Sequence, residues 1–385
     1  MSGPGQPGPQ PPHGPLTVVP LHRIGQVRTG DDLAAMLVAA CQAADVTLCD
    51  DDVLVVSSKV VAKQLGLWHP DREGAVVAET RGVVAERRTP NGTTRIVRSA
   101  AGPVMAAAGV DASNTGPDAR GRVLVLPRDP DARAVALRAE VASHAGARPA
   151  VLLSDTSGRP WRVGQTDFAL GCAGLLPTDD LRGGVDADGS ALQVTVRAVA
   201  DELAGAAELV KGKADGVPAA VVRGCGRLVV DDDGPGAGGL VRFDTTDWFA
   251  TGTVESVRAA LGCPPGTAGV EPAPAVPDPD PSAVLRRAVA VVLAGRVGDD
   301  GLDEVRAELA DGGVTVVGPV VAAARLAERV AVAARAEGLR TRVERSPAGP
   351  QVEVDVQGLL RSHRQVQVEA GTGLTLRVAP LQATP

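Results

Sequence analysis

The chain has very few aromatic residues: three Trp and three Phe make up 2% of its 385 residues, and tyrosine is absent. The core must therefore be built from Ala, Val and Leu, and a catalytic tyrosine is excluded. The five cysteines are odd in number and widely scattered, and no CxxC pair occurs. This pattern favours free thiols in a reducing cytoplasm over disulfides or a zinc site.

Membrane and targeting signals are also missing. The N-terminus has neither a basic segment nor an apolar core typical of a signal peptide. No uncharged apolar run reaches the roughly 20 residues that a membrane span needs. The net charge of −7, without a basic stripe, argues against a general nucleic-acid-binding protein. We therefore expect a cytoplasmic protein with neither nucleic acid nor membrane as partner.

Composition divides the chain into four parts. Residues 1–15 are dense in Pro and Gly and predict a disordered tail. Residues 16–262 mix helix and strand signals without regular βαβ alternation, which favours an α+β fold. Residues 263–282 are rich in Pro and acidic residues and predict a stiff, extended linker. Residues 283–385 predict a small α+β domain of unknown role, without a motif that indicates chemistry.

Hydrophobic periodicity and cap residues predict the main elements of both domains. Helices are expected over residues 33–44, 130–146, 283–294, 302–310 and 320–337. Strands are expected over residues 16–20, 53–57, 123–126, 150–153, 219–222, 314–317, 341–344, 351–357 and 365–369, and around Val378. Residues 83–98 predict two strands around the turn Pro90-Asn91-Gly92, and residues 193–209 predict a strand that passes into a helix.

The most informative stretch is Ser154–Gly174, SDTSGRPWRVGQTDFALGCAG, which follows the apolar run of a predicted buried strand. Asp155 and Thr156 are then expected at the end of that strand, where side chains converge on a ligand. The glycines let the backbone approach an anion, and arginines offer planar donors to phosphate or carboxylate. The candidates for binding the acidic substrates are Arg159, Arg162, Gln165 and Asp167.

The ordered pattern DTxGRxWRxGQTDxAxGxAG resembles the signature of the coenzyme F-420:L-glutamate ligases. Four further segments follow the same family in order: Arg28–Leu33, Val55–Lys63, Met105–Gly116 and Ala198–Arg223. The resemblance covers residues 16–262. It implies a two-part α+β ligase domain with mixed and antiparallel sheets, which forms a homodimer and has its site in a cleft.

The activity implied by this resemblance is GTP-dependent formation of a γ-glutamyl amide between L-glutamate and the deazaflavin precursor, through an acyl phosphate. The resemblance also implies a divalent metal ion, manganese or magnesium, and allows a monovalent cation such as potassium. Asp111, Asp155 and Thr156 are the implied metal ligands, and the two aspartates are the implied catalytic residues. Such hard cations take oxygen ligands, mainly carboxylates.

The residues implied to contact the nucleotide lie in three segments, and they are Ile24, Gly25, Gln26, Val27, Ser58, Lys63 and Asn114. Lys59 is a candidate to share the phosphate with Lys63, since both follow the same predicted strand. Lys211–Val217 resembles a further nucleotide-facing segment, although a solvated turn explains it equally well. Residues 283–385 do not match the flavin-binding nitroreductase domain that many relatives carry there, so no FMN is expected.

Two other functions stay open on the sequence alone. One is a paralogous amide ligase that uses metal and GTP with a different acceptor. The other is a catalytically silent nucleotide-binding regulator. The presence of both Asp111 and Asp155 argues against the regulator, because binding alone rarely needs two metal-binding carboxylates.

Overall fold

The computed structural model describes residues 14–116, 119, 121–212, 214–242, 247–276, 278–295, 306–310, 313–317, 320–346, 351–359 and 374–379. Its residues fall into two compact units. The first spans residues 1–81 and 98–246, and the second spans residues 82–97 and 247–385. The α+β class with mixed and antiparallel sheets, expected from the sequence, is confirmed. Within the described residues, no helix is long and apolar enough to cross a membrane.

The first unit contains most of the strands and five helices among its described residues. Its strands are β1 Thr17–Pro20, β2 Val53–Ser57, β3 Trp68–His69, β6 Val104–Ala106, β7 Val123–Leu124, β8 Ala150–Arg159, β9 Arg162–Ala173, β10 Asp179–Asp180, β11 Val196–Arg197 and β12 Ala219–Arg223. Its helices are α1 Leu33–Ala43, α2 Ser58–Gln64, α3 Arg72–Ala78, α4 Pro130–Ala145 and α5 Val199–Lys211. The strands β4 Thr80–Thr89 and β5 Gly92–Ser99 carry the chain into the second unit and back.

A five-stranded sheet in the order β1-β12-β2-β8-β9 is the centre of the first unit. The β2 and β8 strands run parallel, and the other neighbours are antiparallel. Alternate strand residues enter two different apolar layers, as the period of two requires. Leu54 and Val56 pack in the layer that contains α1 and α4, while Val53 and Val55 pack in the layer that contains α5.

The parallel pair brings two polar segments to one edge of this sheet. Ser57 and Ser154 are the last paired residues of β2 and β8. The chain passes from β2 directly into α2 at Ser58, whereas β8 continues past Ser154 as one arm of a hairpin with β9. Because the carboxyl ends of parallel strands meet at the same edge, the residues that follow both serines converge there.

The second unit has its own core. Its elements are α6 Thr253–Ala260, α7 Pro281–Ala294, β13 Arg306–Ala310, β14 Gly313–Val317, α8 Val320–Ala336, β15 Leu339–Ser346, β16 Gln351–Leu359 and β17 Leu374–Ala379. The sheet order is β13-β14-β17-β16-β15, and α7 and α8 pack together over an apolar cluster that includes Val316 and Leu326. Buried Glu337 accepts hydrogen bonds from Arg258 at 2.6 Å and from Arg287 at 2.8 Å.

The signature stretch differs from its prediction. The sequence predicted a strand that ends near Leu153 and a binding loop after it, but residues 150–173 form one long β-hairpin. Asp155 pairs with Phe168 and Thr156 with Asp167 across the ladder. Gly158 and Gly164 lower the strand propensity of this segment, and cross-strand pairing overrides that preference.

The second unit corrects one further expectation. Residues 306–310 lie in strand β13, paired with β14, and not in the helix predicted over 302–310, because sheet pairing overrides local helix propensity. The second unit also includes residues 82–97 and 247–262. The predicted linker takes part in the second unit: Cys263 is buried in its core, and Arg88 and Ala273 share a backbone hydrogen bond of 2.8 Å.

Two predictions lie outside the described residues: the disordered tail up to residue 13, and the strand over residues 365–369. The five cysteines all lie in the described part and are free. Four are buried, and Cys49 is exposed.

Candidate functional site

A cleft of about 360 Å³ opens in the first unit at the edge where β2 and β8 end. Several segments that are far apart in the sequence line it. The polar side chains among its lining are Gln26, Ser57, Lys59, Lys63, Asp111, Asn114, Ser154, Asp155, Thr156, Asp167, Glu208 and Lys211. Acidic and basic groups therefore face one concave surface, as a site for phosphates and a cation requires.

Asp155 lies on β8 one residue beyond the parallel pair, half-buried in the cleft. Burial, together with the nearby carboxylates of Asp167 and Asp111, raises the pKa of its carboxyl to about 6. This is the net effect, since hydrogen bonds from the backbone of Thr156 and the hydroxyl of Ser58 lower the pKa. A cation at Asp155 would relieve the repulsion between these carboxylates, because opposite charge favours their ionised forms.

Asp111 is held in place by the strand bridge that it forms with Leu124. Its Oδ2 lies 2.6 Å from Nζ of Lys59, and its Oδ1 accepts hydrogen bonds from the backbone and the hydroxyl of Ser113 at 2.6 and 2.7 Å. Burial raises the pKa of Asp111, but the hydrogen bonds from Lys59 and Ser113 outweigh burial, so the pKa lies below its ordinary value. Asp111 is therefore an ionised carboxylate at neutral pH.

Lys63 is the more buried of the two lysines of α2 that line the cleft, with 5% of its surface exposed. It lies one helical turn after Lys59 on α2, so both ammonium groups face the same side. Its Nζ donates to the carbonyl oxygen of Asn114 at 2.9 Å. Burial and the charge of Lys59 lower the pKa of Lys63. An anion that entered the cleft would favour the charged ammonium and so counter both effects, which favours a phosphate at this position.

A second polar cluster lies behind Asp155, centred on Asp167 of β9. One oxygen of Asp167 accepts from Thr156 Oγ1 at 2.7 Å. The other accepts from Ser154 Oγ at 2.9 Å and from Lys211 Nζ at 2.7 Å. Burial raises the pKa of Asp167, but the Lys211 charge and these hydrogen bonds outweigh burial and hold it below its ordinary value. Burial and Asp167 raise the pKa of Glu208, which lies 3.4 Å from Lys211.

The structure brings most of the predicted site residues to this cleft. The predicted residues that line it are Gly25, Gln26, Lys63, Asp111, Asn114, Asp155, Thr156 and Asp167. Ser58 is buried beneath the cleft and contacts Asp155. Ile24 and Val27 lie instead in the apolar core, so only their backbones are available to a nucleotide.

Three predicted substrate-binding residues lie elsewhere. Arg159, Arg162 and Gln165 are exposed on the β8–β9 hairpin and do not line the described cleft. Their assignment to the substrates stays a prediction. One glycine of the same signature has a packing role. A Cβ at Gly171 would lie 2.5 Å from the backbone of Pro130, so this glycine permits close packing of α4 on β9.

Sequence reasoning missed the side chains of Ser154 and Glu208 and the partner of Lys211. The segment Lys211–Val217, which resembles a nucleotide-facing segment, does line the cleft through Lys211, Gly212, Gly216 and Val217. Lys211 itself ends helix α5 and turns its ammonium to Asp167. A buried lysine at a helix end has no distinctive sequence pattern, so its partner could not be named.

The donor set at the cleft suits a hard cation in its chemistry but is sparse. Asp111, Asp155 and Thr156 supply oxygen atoms, and burial together with like-charge repulsion raises the pKa of Asp155. Within the described ranges, no group of three His, Cys, Asp or Glu side chains is arranged to hold a metal ion. A cation here would therefore need further oxygens from phosphate or water, which is typical of magnesium sites.

Comparison with known proteins gives a consistent family. The model of the F420-0:gamma-glutamyl ligase family matches residues 22–69 and 68–224, a range that contains every residue lining the cleft. The chain is 40% identical over 232 residues to "Coenzyme F420:L-glutamate ligase" of Haloarcula marismortui, covering 54% of this chain and 87% of the relative.

The proteins of the same name from Halobacterium salinarum and Methanothermobacter thermautotrophicus are more distant. The first is 38% identical over 221 residues, covering 51% of this chain and 83% of the relative. The second is 35% identical over 233 residues, covering 54% of this chain and 89% of the relative. The chain therefore belongs to the F420-0:gamma-glutamyl ligase family.

Proposed function

We propose that this protein is a coenzyme F420-0:L-glutamate ligase, which joins the amino group of L-glutamate to a carboxylate of the deazaflavin precursor at the cost of GTP. The family membership and the names of the relatives support the reaction class. The cleft supports the chemistry, because two carboxylates and two lysines of the matched region face one another across it. The meeting of these acidic and basic residues in one cleft is the single observation that carries the proposal.

The basic wall of the cleft is the place for the GTP phosphates. Lys59 and Lys63 extend from one face of α2, and a lysine is a compact charge suited to a phosphate. Gly25 also lines the cleft, and a Cβ there would meet nothing within 4 Å, so its backbone is open to close approach by a phosphate.

The proposed reaction has two steps. A carboxylate oxygen of the precursor attacks the γ-phosphorus of GTP, and the bond to the bridging oxygen breaks, giving an acyl phosphate and GDP. The amino group of glutamate then attacks the acyl carbon and loses a proton. The bond between the acyl carbon and the phosphate oxygen breaks, and inorganic phosphate leaves. Lys59 and Lys63 stabilise the negative charge that moves between phosphate oxygens during these steps.

Asp111, Asp155 and Thr156 are the residues that would hold the divalent ion, manganese or magnesium. When bound, such an ion neutralises phosphate charge and orients the transferred group. The chain's own part is to present oxygens of fixed position. Ser113 and Lys59 fix Asp111, and Ser58 fixes Asp155. A monovalent cation and a homodimer, both implied by the resemblance, are part of this proposal as well.

The test is an assay of the full chain with GTP, manganese or magnesium, L-glutamate and the precursor, read by mass spectrometry. We expect a product heavier by one glutamyl residue, with one GDP and one phosphate formed for each bond. Asp155→Asn serves as the control that should form none.

Two other outcomes would each overturn the proposal in a different way. Glutamate-dependent GTP turnover without the expected product indicates a paralogous ligase with another acceptor. GTP binding without any turnover indicates a regulator that has lost catalysis.

A further inference from the structure

We propose that Asp167 is a positioning residue that fixes the direction of the Thr156 hydroxyl, so that the hydroxyl oxygen presents its lone pairs to a cation in the cleft. This inference rests on the proposed function, since it assigns a cation to that cleft. It concerns side chains that do not touch the substrates themselves. Hydrogen bonds from Lys211 and Ser154 hold the Asp167 carboxylate in the orientation that this role requires.

The Asp167 carboxylate is fully occupied as a hydrogen-bond acceptor. Its side chain is almost fully buried, with 3% of the residue exposed. Both of its oxygens are engaged, Oδ1 by Thr156 and Oδ2 by Ser154 and Lys211. An ionised carboxylate can only accept hydrogen bonds. The 2.7 Å contact with Thr156 Oγ1 therefore uses the single proton of that hydroxyl.

Once the proton of the Thr156 hydroxyl is directed to Asp167, the two lone pairs of Oγ1 are left for other partners. Thr156 lines the cleft next to Asp155, so these lone pairs are available on the wall where the cation is proposed. A hydroxyl that points its proton at a cation cannot act as its ligand. Asp167 thus makes Thr156 an acceptor toward the cleft.

The backbone fixes this pair. Thr156 and Asp167 are direct partners across the antiparallel β8–β9 ladder, so their side chains lie on the same face of the hairpin. Lys211 enters from helix α5, with 3% of its surface exposed, and donates to Ser154 Oγ at 2.8 Å as well as to Asp167. Thr156, Asp167 and Lys211 thus come from β8, β9 and α5. Their hydrogen bonds to one another fix the Thr156 hydroxyl, as the outer partners of metal ligands do.

Asp167→Asn gives a specific consequence. An amide places an NH2 group where one carboxylate oxygen was, and that group cannot face the Lys211 ammonium. The amide must then turn its oxygen to Lys211 and its NH2 to Thr156. The Thr156 oxygen becomes an acceptor from Asn, and its proton turns toward the cleft. The substitution therefore reverses the direction of the Thr156 O–H bond, so that the proton and not a lone pair faces the cation.

The matched control is Glu208→Gln. Glu208 also lines the cleft and lies 3.4 Å from Lys211, and its substitution removes the same charge. Glu208 contacts Lys211 and neighbours Asp167, so Glu208→Gln removes a negative charge from the same cluster but keeps the Asp167 acceptor of the Thr156 proton. Two substitutions at Thr156 complete the design. Thr156→Ser keeps the hydroxyl, while Thr156→Val removes it at similar volume.

The experiment measures binding of Mn²⁺ alone to the full-length protein by electron paramagnetic resonance, with thermal melting as a check of folding. We expect Asp167→Asn to raise the Kd for Mn²⁺ at least about tenfold, the usual lower effect of removing an outer partner of a metal ligand. Glu208→Gln should change it by less than about threefold. In the Thr156→Val background, Asp167→Asn should add no more than Glu208→Gln does, whereas in Thr156→Ser its effect should persist.

Equal effects of Asp167→Asn and Glu208→Gln, or an undiminished effect of Asp167→Asn in Thr156→Val, would overturn the inference while the ligase proposal stands. A wild-type protein that binds no Mn²⁺ would overturn the inference together with the proposed cation, whatever the ligation assay shows. Ligation failing while the Mn²⁺ pattern holds would overturn the proposed function alone.

A second variant keeps the test decisive if Asp167→Asn does not fold. Asp167→Leu/Lys211→Met replaces the buried ion pair by apolar side chains, a change that proteins often tolerate. It keeps the net charge of the cleft but removes the acceptor of the Thr156 proton. Weaker Mn²⁺ binding than in the wild type supports the inference, and unchanged binding overturns it.

Discussion

Gly174 lies directly against the buried guanidinium of Arg138: a Cβ at residue 174 would be 2.5 Å from Nε of that arginine. Arg138 is 1% exposed, and it donates to the carbonyl oxygens of Val230 at 2.8 Å and of Pro149 at 3.2 Å. The arginine therefore cannot move aside. Gly174 also has a φ of +70°, a conformation that costs other residues energy.

From this contact we expect Gly174→Ala to lower the free energy of unfolding by about 1–3 kcal/mol, the range for overpacking a rigid interior. Chemical denaturation followed by circular dichroism measures the change. Gly158→Ala is the control in the same signature, because a Cβ there meets nothing within 4 Å and its backbone is extended. Equal stability of the two variants would show that the glycine has another role.

The nucleotide wall can be tested at Lys63. Lys63→Met keeps the aliphatic part of the side chain but removes the ammonium that donates to Asn114. We expect GTP binding to weaken by about 1–3 kcal/mol, as for the loss of a charged hydrogen bond. Isothermal titration calorimetry with GTP measures the loss. Lys63→Arg should rescue it only in part, because a planar fork and a compact ammonium differ in geometry.

The paired carboxylates give a catalytic prediction. Asp155→Asn and Asp111→Asn should each abolish ligation while the melting temperature stays near that of the wild type. The double variant should be no worse than either single variant, since both carboxylates act on one unit of phosphate and cation. Losses of rate that multiply in the double variant would show that the two aspartates act independently.

The sequence predicted the main acidic and basic residues that line the cleft, but not the buried contacts behind them. Asp111, Asp155 and Lys63 stand in motifs that resemble a family, so their positions could be expected to meet. Lys211 could not be paired with Asp167, because that contact depends on how α5 packs against the hairpin. The packing role of Gly171 was equally out of reach, because its close contact with Pro130 depends on how α4 lies against β9.

The fold shows the same limit. Strands β1, β2 and β12 follow from apolar runs, and helix α1 is capped as expected by Asp32, whose side chain accepts from the amide of Ala35. Helix α4 is capped in the same way by Asp129. The hairpin of β8 and β9 was missed after Leu153, because its arms gain their stability from pairing and not from local propensity.

The ion pair of Asp52 with Arg223 gives a pH prediction. Asp52 is fully buried and accepts from Arg223 Nε and Nη2, each at 2.7 Å, and from the backbone of Cys49 at 3.0 Å. Burial raises the pKa of Asp52, but these bonds outweigh burial and lower the pKa below its ordinary value of 3.8. A lowered pKa contributes stability above the unfolded value, which is lost as pH falls through the folded value.

Asp52→Asn should therefore lower the free energy of unfolding by about 1–3 kcal/mol at pH 7. The cost lies toward the lower end because the Arg223 side chain is 47% exposed and water can solvate its charge. The difference from the wild type should shrink as the pH falls below 3.8. Urea unfolding across that range measures it, with exposed Asp45→Asn as the control. A difference that is constant with pH would contradict the role of this ion pair.

Shortening the chain to residues 1–265 tests the relation between the second unit and ligation. Every residue that lines the cleft lies in the first unit, so the shortened chain should keep ligation. It loses Ala273 and Ala275, which share backbone hydrogen bonds with Arg88, and Glu337, the partner of Arg258. We therefore expect faster amide exchange at Arg88 and a lower melting temperature for what remains of the second unit.

Hydrogen exchange with mass spectrometry and the ligation assay measure the two effects. A shortened chain that is folded in its first unit but does not ligate would show that the second unit contributes to the reaction.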